Sequence, residues 1–434
     1  METETKSGAM RLLLLWPLIL AGEAIFLLPF VLPRLFKPTM LEVWGITNLD
    51  FGLAFTCYGV VAILAYGLGG PLADRYSARW LITIALGATA LGGLLLLQKP
   101  SQLILCGIYA YFGMTTILLF WSAMLKTTHT LAGSNQQATA FGILDAGRGL
   151  FAAVFASLLT LLFTLTVPTD NQVSPDDLGR ALNMVILSTI VLIAFMAFLV
   201  PFTLTKSADP ATASPALFTT SNVAHLFRRP TVWLHGTVVL CAYCGYKSID
   251  NYGIYSVDVY NSTDLEASQL TTLTFWARPI AAISAGLAAD RFCHFKSLAV
   301  LFALAASGNL ILAVTGPQTI PWAGLMILCV TTAAMMYGLR GIYFALFNDL
   351  HIPKKLIGTA AGIVSLIGFL PDVFFGALTG YMIDHHPGEK GYQMVFLFVA
   401  SVSGLGFIVA VLGFRNINRF LKPAGTAPPV QARH

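Results

Sequence analysis

Ionisable side chains set inside long apolar runs carry whatever chemistry this sequence can do. Glu23 stands near the middle of the first such run, Asp145 and Arg148 lie three residues apart in the fifth, and Tyr243, Tyr246, Lys247 and Asp250 crowd the seventh. Arg278 precedes Pro279 in the eighth run, Arg340 lies in the cytoplasmic half of the tenth, and Asp372 follows Pro371 in the eleventh. A charge held at bilayer depth costs several kcal/mol, so each of these residues is a candidate for function. Arg278 and Arg340 have no acidic neighbour within a helical turn and suit the grip of an anionic solute. Lys247, Tyr243, Tyr246 and Trp121 are candidates for lining the same site. Glu23 and Asp372 offer titratable carboxyls for moving a proton. Asp145 and Arg148, at i and i+3 on one helix face, suit a structural ion pair, and Lys247 with Asp250 repeats that spacing.

The elements that must position these residues follow from composition. The chain has 434 residues, 56% hydrophobic and only 10% Asp, Glu, Lys or Arg, where a soluble domain carries about a quarter charged. That excludes a water-soluble enzyme or a nucleic-acid-binding module, and the net charge of +5 does not alter it. A bilayer core of about 30 Å needs roughly 20 apolar residues per helix. Twelve segments meet that length: 12–33, 51–73, 80–98, 101–124, 141–166, 179–203, 231–254, 269–289, 297–315, 321–347, 356–383 and 392–413. Helices are expected, because lipid leaves no partner for unpaired backbone groups.

Lysine and arginine placement sets the orientation. With both ends cytoplasmic, sixteen basic residues fall on the cytoplasmic side and five (Arg34, Lys37, Lys99, Lys390 and Arg180) on the other. The longest polar insert, 204–229, rich in Ser, Thr, Ala and Pro, divides an N-terminal bundle (1–203) from a C-terminal one (230–434). No phosphate loop, nucleophile elbow or zinc-binding His pair is present, so neither an enzyme nor a cofactor is indicated. Cys241 and Cys244 fall within an apolar helix and read as packing residues, and no metal site is expected.

The two halves repeat in sequence. Gly70-Pro71-Leu72-Ala73-Asp74-Arg75 and Gly286-Leu287-Ala288-Ala289-Asp290-Arg291 both set Gly four residues before an Asp-Arg pair, at an offset of 216 residues. Thr139-Ala140-Phe141-Gly142-Ile143 matches Thr359-Ala360-Ala361-Gly362-Ile363 at an offset of 220. An even number of spans in each half makes the repeats parallel.

With Arg79, the Gly70–Arg75 loop resembles the signature loop of the major facilitator superfamily, Ser77 replacing a usual Gly, and the copy at Asp290 stands where that family places one. The resemblance implies an all-α membrane protein, twelve transmembrane helices in two six-helix parallel repeats around a central cavity. It also implies a conformational latch made of Gly70, Asp74, Arg75, Arg79, Gly286, Asp290 and Arg291. Arg340 to Gly362, on to Pro371-Asp372, resembles bacterial permeases grouped with sugar-phosphate permeases. That relationship implies a basic pair on helices one and seven, where mid-span one carries Glu23 instead. The expected function is a secondary active transporter of a small organic solute, anionic and proton-coupled, monomeric in a bacterial inner membrane. The alternatives are a cation or metal exporter using Glu23, Asp145, Asp250 and Asp372, or a non-transporting sensor of the same fold.

Overall fold

A computed structural model describes residues 15–132, 137–168, 174–204, 226–350 and 357–420. The described elements are helices, joined by short turns. In order they are α1 (Trp16–Trp44), α2 (Asn48–Arg75), α3 (Ala78–Gln98), α4 (Gln102–Leu131), α5 (Gln137–Thr166) and α6 (Pro175–Thr203). Then come α7 (Pro230–Ser248, continued by Ile249–Asn251 and Tyr252–Tyr260), α8 (Asp264–Phe292), α9 (His294–Val314), α10 (Trp322–Ile342), α11 (Ile357–Gly368 and Pro371–His385) and α12 (Glu389–Phe420). Among the described residues, ten helices are long and apolar enough to cross a membrane by length and composition. The expected spans seven and eight are helical but are not among those ten. They carry polar residues within their length, His235 and Lys247 on α7 and Asp264, Glu266, Arg278, Asp290 and Arg291 on α8.

Helix starts are written locally. Thr47 with Asp50, Ser174 with Asp177, and Thr263 with Glu266 form reciprocal capping boxes that open α2, α6 and α8.

The first helix departs from the sequence reading. It does not end at residue 33 but runs to Trp44, absorbing Pro29, Pro33 and Pro38 through a π-helical stretch at Leu27–Val31 and a non-helical Phe36. Each proline removes a donor and disturbs the regular ladder, and π-turns of this kind recur at functional sites. Arg34 and Lys37, which the apolar run 12–33 leaves outside the first span, are therefore helical and buried, at 3% and 8% exposure. Similar breaks interrupt α7 at Ile249–Asn251 and α11 at residues 369–370, each beside a carboxylate of interest.

The apolar core falls into two clusters. One runs from Leu15 to Leu204 and takes in Phe275 of α8, and the other runs from Leu226 to Ala410. Most of the expected linker, residues 205–225, lies outside the described residues, as does the tail from 421.

Candidate functional site

The buried charges gather where the two cores meet, in two layers of opposite polarity. In one layer Arg278 of α8 reaches across to the first core. Its guanidinium donates to Glu23 Oε1 at 2.9 Å and lies 3.5 Å from Asp145. Arg148 takes the other Glu23 oxygen at 3.2 Å and donates to the Gly22 carbonyl at 2.9 Å. The expected pair of Asp145 with Arg148 is thereby replaced. Both residues are on α5, but Arg148 turns toward α1 and Asp145 toward α8. Arg278, expected to lack an acidic partner, has two, supplied by other helices rather than by its own.

In the second layer the polarity is reversed. Arg34 of α1 pairs with Asp250 of α7 at 2.5 Å and donates to the Tyr246 hydroxyl at 3.2 Å. Lys37 donates to Asn251 at 3.0 Å. Lys247 does pair with Asp250, at 3.2 Å, and approaches Asp372 at 3.7 Å. Its ammonium also lies over the rings of Phe55 (4.2 Å) and Phe30 (5.1 Å), so a cation from the second core is seated on aromatics of the first. Asp372 accepts the Tyr243 hydroxyl at 3.0 Å on both oxygens.

Arg340 lies between the layers. Its guanidinium stacks over the Tyr246 ring at 3.9 Å and lies 5.9 Å from Tyr243, and no described ion pair includes it. The linked set therefore holds six cations (Arg34, Lys37, Arg148, Lys247, Arg278, Arg340) against four carboxylates (Glu23, Asp145, Asp250, Asp372), and Lys37, like Arg340, is in no described ion pair. Trp121 ends a π-helical stretch, Met114–Trp121, and meets Phe26 edge-on at 6.3 Å. The Phe26 ring in turn carries the Arg148 guanidinium at 5.4 Å.

The two cores close on each other at the Asn48 end. There Asp384 of α11 accepts the backbone amides of Asn48 and Leu49, at 3.3 and 2.7 Å, and the Asn48 side chain at 3.1 Å. Thr39 donates to Asp264 at 2.5 Å, Thr56 to the Val373 carbonyl at 2.7 Å, and the Thr160 and Thr272 hydroxyls share a bond of 2.8 Å. Glycines make this approach possible, since a Cβ on Gly52 would overlap the Gly376 carbonyl and one on Gly380 the Asn48 carbonyl. A cavity of about 20 Å³, lined by Arg34, Lys37, Lys247, Asp250 and Thr379 among others, is left beneath the seal. Toward the opposite end the Asp145 side chain is 47% exposed, against 4% for Glu23.

Among the described residues of the signature loops, the bonds seen stay within one core. Arg79 donates to the Pro201 carbonyl at 3.4 Å and Asp290 lies 3.8 Å from His294, both within one core. Arg75 and Arg291 are exposed, Gly70 and Gly286 have open space where a Cβ would stand, and the Asp74 side chain lies outside the described residues. The glycines that let the cores pack closely are Gly52, Gly376 and Gly380.

The family model of the Major Facilitator Superfamily matches residues 19–376. The chain belongs to the Major Facilitator Superfamily. Among curated relatives of this superfamily chain, Inner membrane protein YqcE of Escherichia coli (strain K12) is 26% identical over 407 residues, covering 91% of this chain and 92% of its own. Among solved structures, nucleoside transporter NupG superposes with a TM-score of 0.70 at 14% identity, covering 93% of this chain and 99% of that one. A bacterial homologue of the human lysosomal transporter Spinster, inward-facing and unoccupied, also gives 0.70, at 15% identity, covering 94% and 98%. The protein is thus a multi-pass membrane protein with the fold of superfamily transporters.

Sequence reasoning missed Arg34, Lys37 and Asp384. The signal for the first two was present. They lie at i and i+3 with Leu32, Leu35, Phe36 and Met40 around them, an apolar stripe that continues past the prolines.

Proposed function

We propose that this protein is a secondary active transporter that carries a small organic anion by alternating access, coupled to protons. On this reading the helices form twelve spans in two six-helix parallel repeats, 1–203 and 230–434, joined by 204–229, in the inner membrane of a bacterium. The protein acts as a monomer without a cofactor, and both ends are cytoplasmic. Moving Arg34 and Lys37 into α1 leaves three basic residues outside against sixteen inside, which strengthens the charge bias behind that orientation. The sealed Asn48 end then faces outward and the site opens to the cytoplasm.

One observation carries the choice of an anion. Among the linked buried charges the carboxylates each face a basic partner, and two cations are left over, Lys37 bonded to the neutral Asn251 and Arg340 held flat on Tyr246. An excess cation at bilayer depth is costly alone and is compensated by a charge that arrives with the solute. The same pairing disfavours a cation exporter, since each of its four candidate carboxylates is engaged by a basic side chain. The basic pair on helices one and seven implied by the sugar-phosphate resemblance is met by Arg34 with Lys247, both on Asp250, further along α1 than Glu23. For the coupled proton we assign Asp372. Protonating Glu23 would break ion pairs to two guanidiniums, whereas protonating Asp372 loosens one at 3.7 Å and leaves the Tyr243 contact usable.

The test is flux into proteoliposomes of labelled gluconate and glucose 6-phosphate, with glucose and manganese as neutral and cationic controls, each with and without an inward proton gradient. The expected result is anion uptake accelerated by the gradient. Flux of the neutral or cationic probe alone would overturn the reading.

A further inference from the structure

The two carboxylates that hold Arg278 are not equivalent. Glu23 is 4% exposed and binds at 2.9 Å while also holding Arg148, so it belongs to the fixed scaffold of the first core. Asp145 binds the same guanidinium at 3.5 Å and is 47% exposed, although Arg278 itself is 9% exposed. Its exposure is not toward lipid. Gly149, one turn further along α5, packs against the Arg278 side chain, where a Cβ would meet Cγ at 3.3 Å, so Asp145 lies on the face that meets α8. The lipid-type residues of this helix, Leu150, Val154, Leu158 and Leu161, are exposed on other faces. A carboxylate thus stands at the open side of a buried guanidinium, within the same group of charges as Arg340.

We propose that Asp145 is an internal stand-in for the transported anion. In the empty protein it occupies the accessible edge of Arg278, and an incoming carboxylate or phosphate displaces it. A buried guanidinium edge cannot be left bare without cost, and a half-exposed partner is the one given up most cheaply. Displacement also removes one of the two carboxylates by which the first core holds Arg278 of the second, so anion binding loosens a tie between the cores. This inference rests on the anion-transport reading and adds to it that the site is self-inhibited by its own carboxylate.

The test is titration of the purified full-length protein, followed by intrinsic tryptophan fluorescence, with gluconate and glucose 6-phosphate, and with glucose as the uncharged control. Asp145→Asn is expected to bind both anions more tightly than the unsubstituted protein, by about fivefold, with no change for glucose. Asp145→Glu, which restores the competing charge, is expected to return affinity toward the original value. Equal or weaker anion binding by Asp145→Asn, with anion binding intact in the unsubstituted protein, would overturn the stand-in role and leave the transport reading in place. Binding of neither anion by any of the three proteins would overturn the anion reading itself. A thermal melt of each variant separates lost affinity from lost folding.

Discussion

Arg340 is the residue on which the choice of solute turns. Its guanidinium is held on the Tyr246 ring rather than by a carboxylate, an arrangement that a planar, weakly hydrated cation tolerates better than an ammonium does. Arg340→Gln is expected to lower anion affinity by at least about tenfold, the loss typical of one charge-assisted contact, with little effect on the melting temperature. Arg340→Lys should recover only part of it. An unchanged affinity in Arg340→Gln would place the solute elsewhere. At this scale the sequence was informative about depth and silent about partners. Intramembrane charge singled out Glu23, Arg278, Arg340 and Asp372, because cost at bilayer depth is a property of the residue itself. The i, i+3 rule found Lys247 with Asp250 but failed for Asp145 with Arg148, because Glu23 of α1 and Arg278 of α8 compete for those two side chains from outside the helix.

Among the elements, α2 and α11 form the seal at the Asn48 end, and the seal includes a helix cap contributed by the other core. Thr47 and Asp50 satisfy the ends of their own capping box. Asp384 then accepts the amides of Asn48 and Leu49, which the box leaves open. Such a cap exists only while the cores are together. Asp384→Ala is expected to weaken the sealed conformer by about 1 kcal/mol, roughly fivefold in the equilibrium between conformers. Spin labels on Glu42 and His385, both exposed near this end, would show it as added population at longer separation. Gly52→Val should act more severely, since its branched side chain has no room beside the Gly376 carbonyl. A distance distribution unchanged by both substitutions would mean that this end does not open. Helix spans were largely legible from apolar runs, and their breaks were not. A proline announces that a donor is missing but not whether the chain ends, kinks or passes through a π-turn, which is why the apolar run stops at residue 33 while α1 continues through Arg34 to Trp44.

At the scale of the whole molecule, the repeat and the site are connected by one number. The signature loops recur at an offset of 216 residues, and Arg34 and Asp250, bonded directly across the cores, are also 216 residues apart. A residue can touch its own counterpart in a duplicated bundle only at the axis relating the two copies, so on the two-repeat layout this pair marks that axis. Duplication alone would have set like charges against each other there. Opposite charges at equivalent positions let the copies bind rather than repel, and a pair at the axis can persist while the surfaces at either end part in turn. Because the requirement is for one cation and one carboxylate rather than for either residue at either position, the charges are exchangeable. Arg34→Asp or Asp250→Arg alone leaves two like charges buried at the centre and is expected to abolish anion flux, at a cost of about 3–5 kcal/mol for the uncompensated charge. The double variant Arg34→Asp with Asp250→Arg restores the pair and should recover both the melting temperature and a measurable fraction of gluconate or glucose 6-phosphate uptake. Recovery of the melting temperature without uptake would show that Asp250 or Arg34 also contacts the solute. Recovery of neither would mean that the local surroundings, Tyr246 and Lys247 on one side and Phe275 on the other, distinguish the two copies more strongly than their shared descent makes them alike.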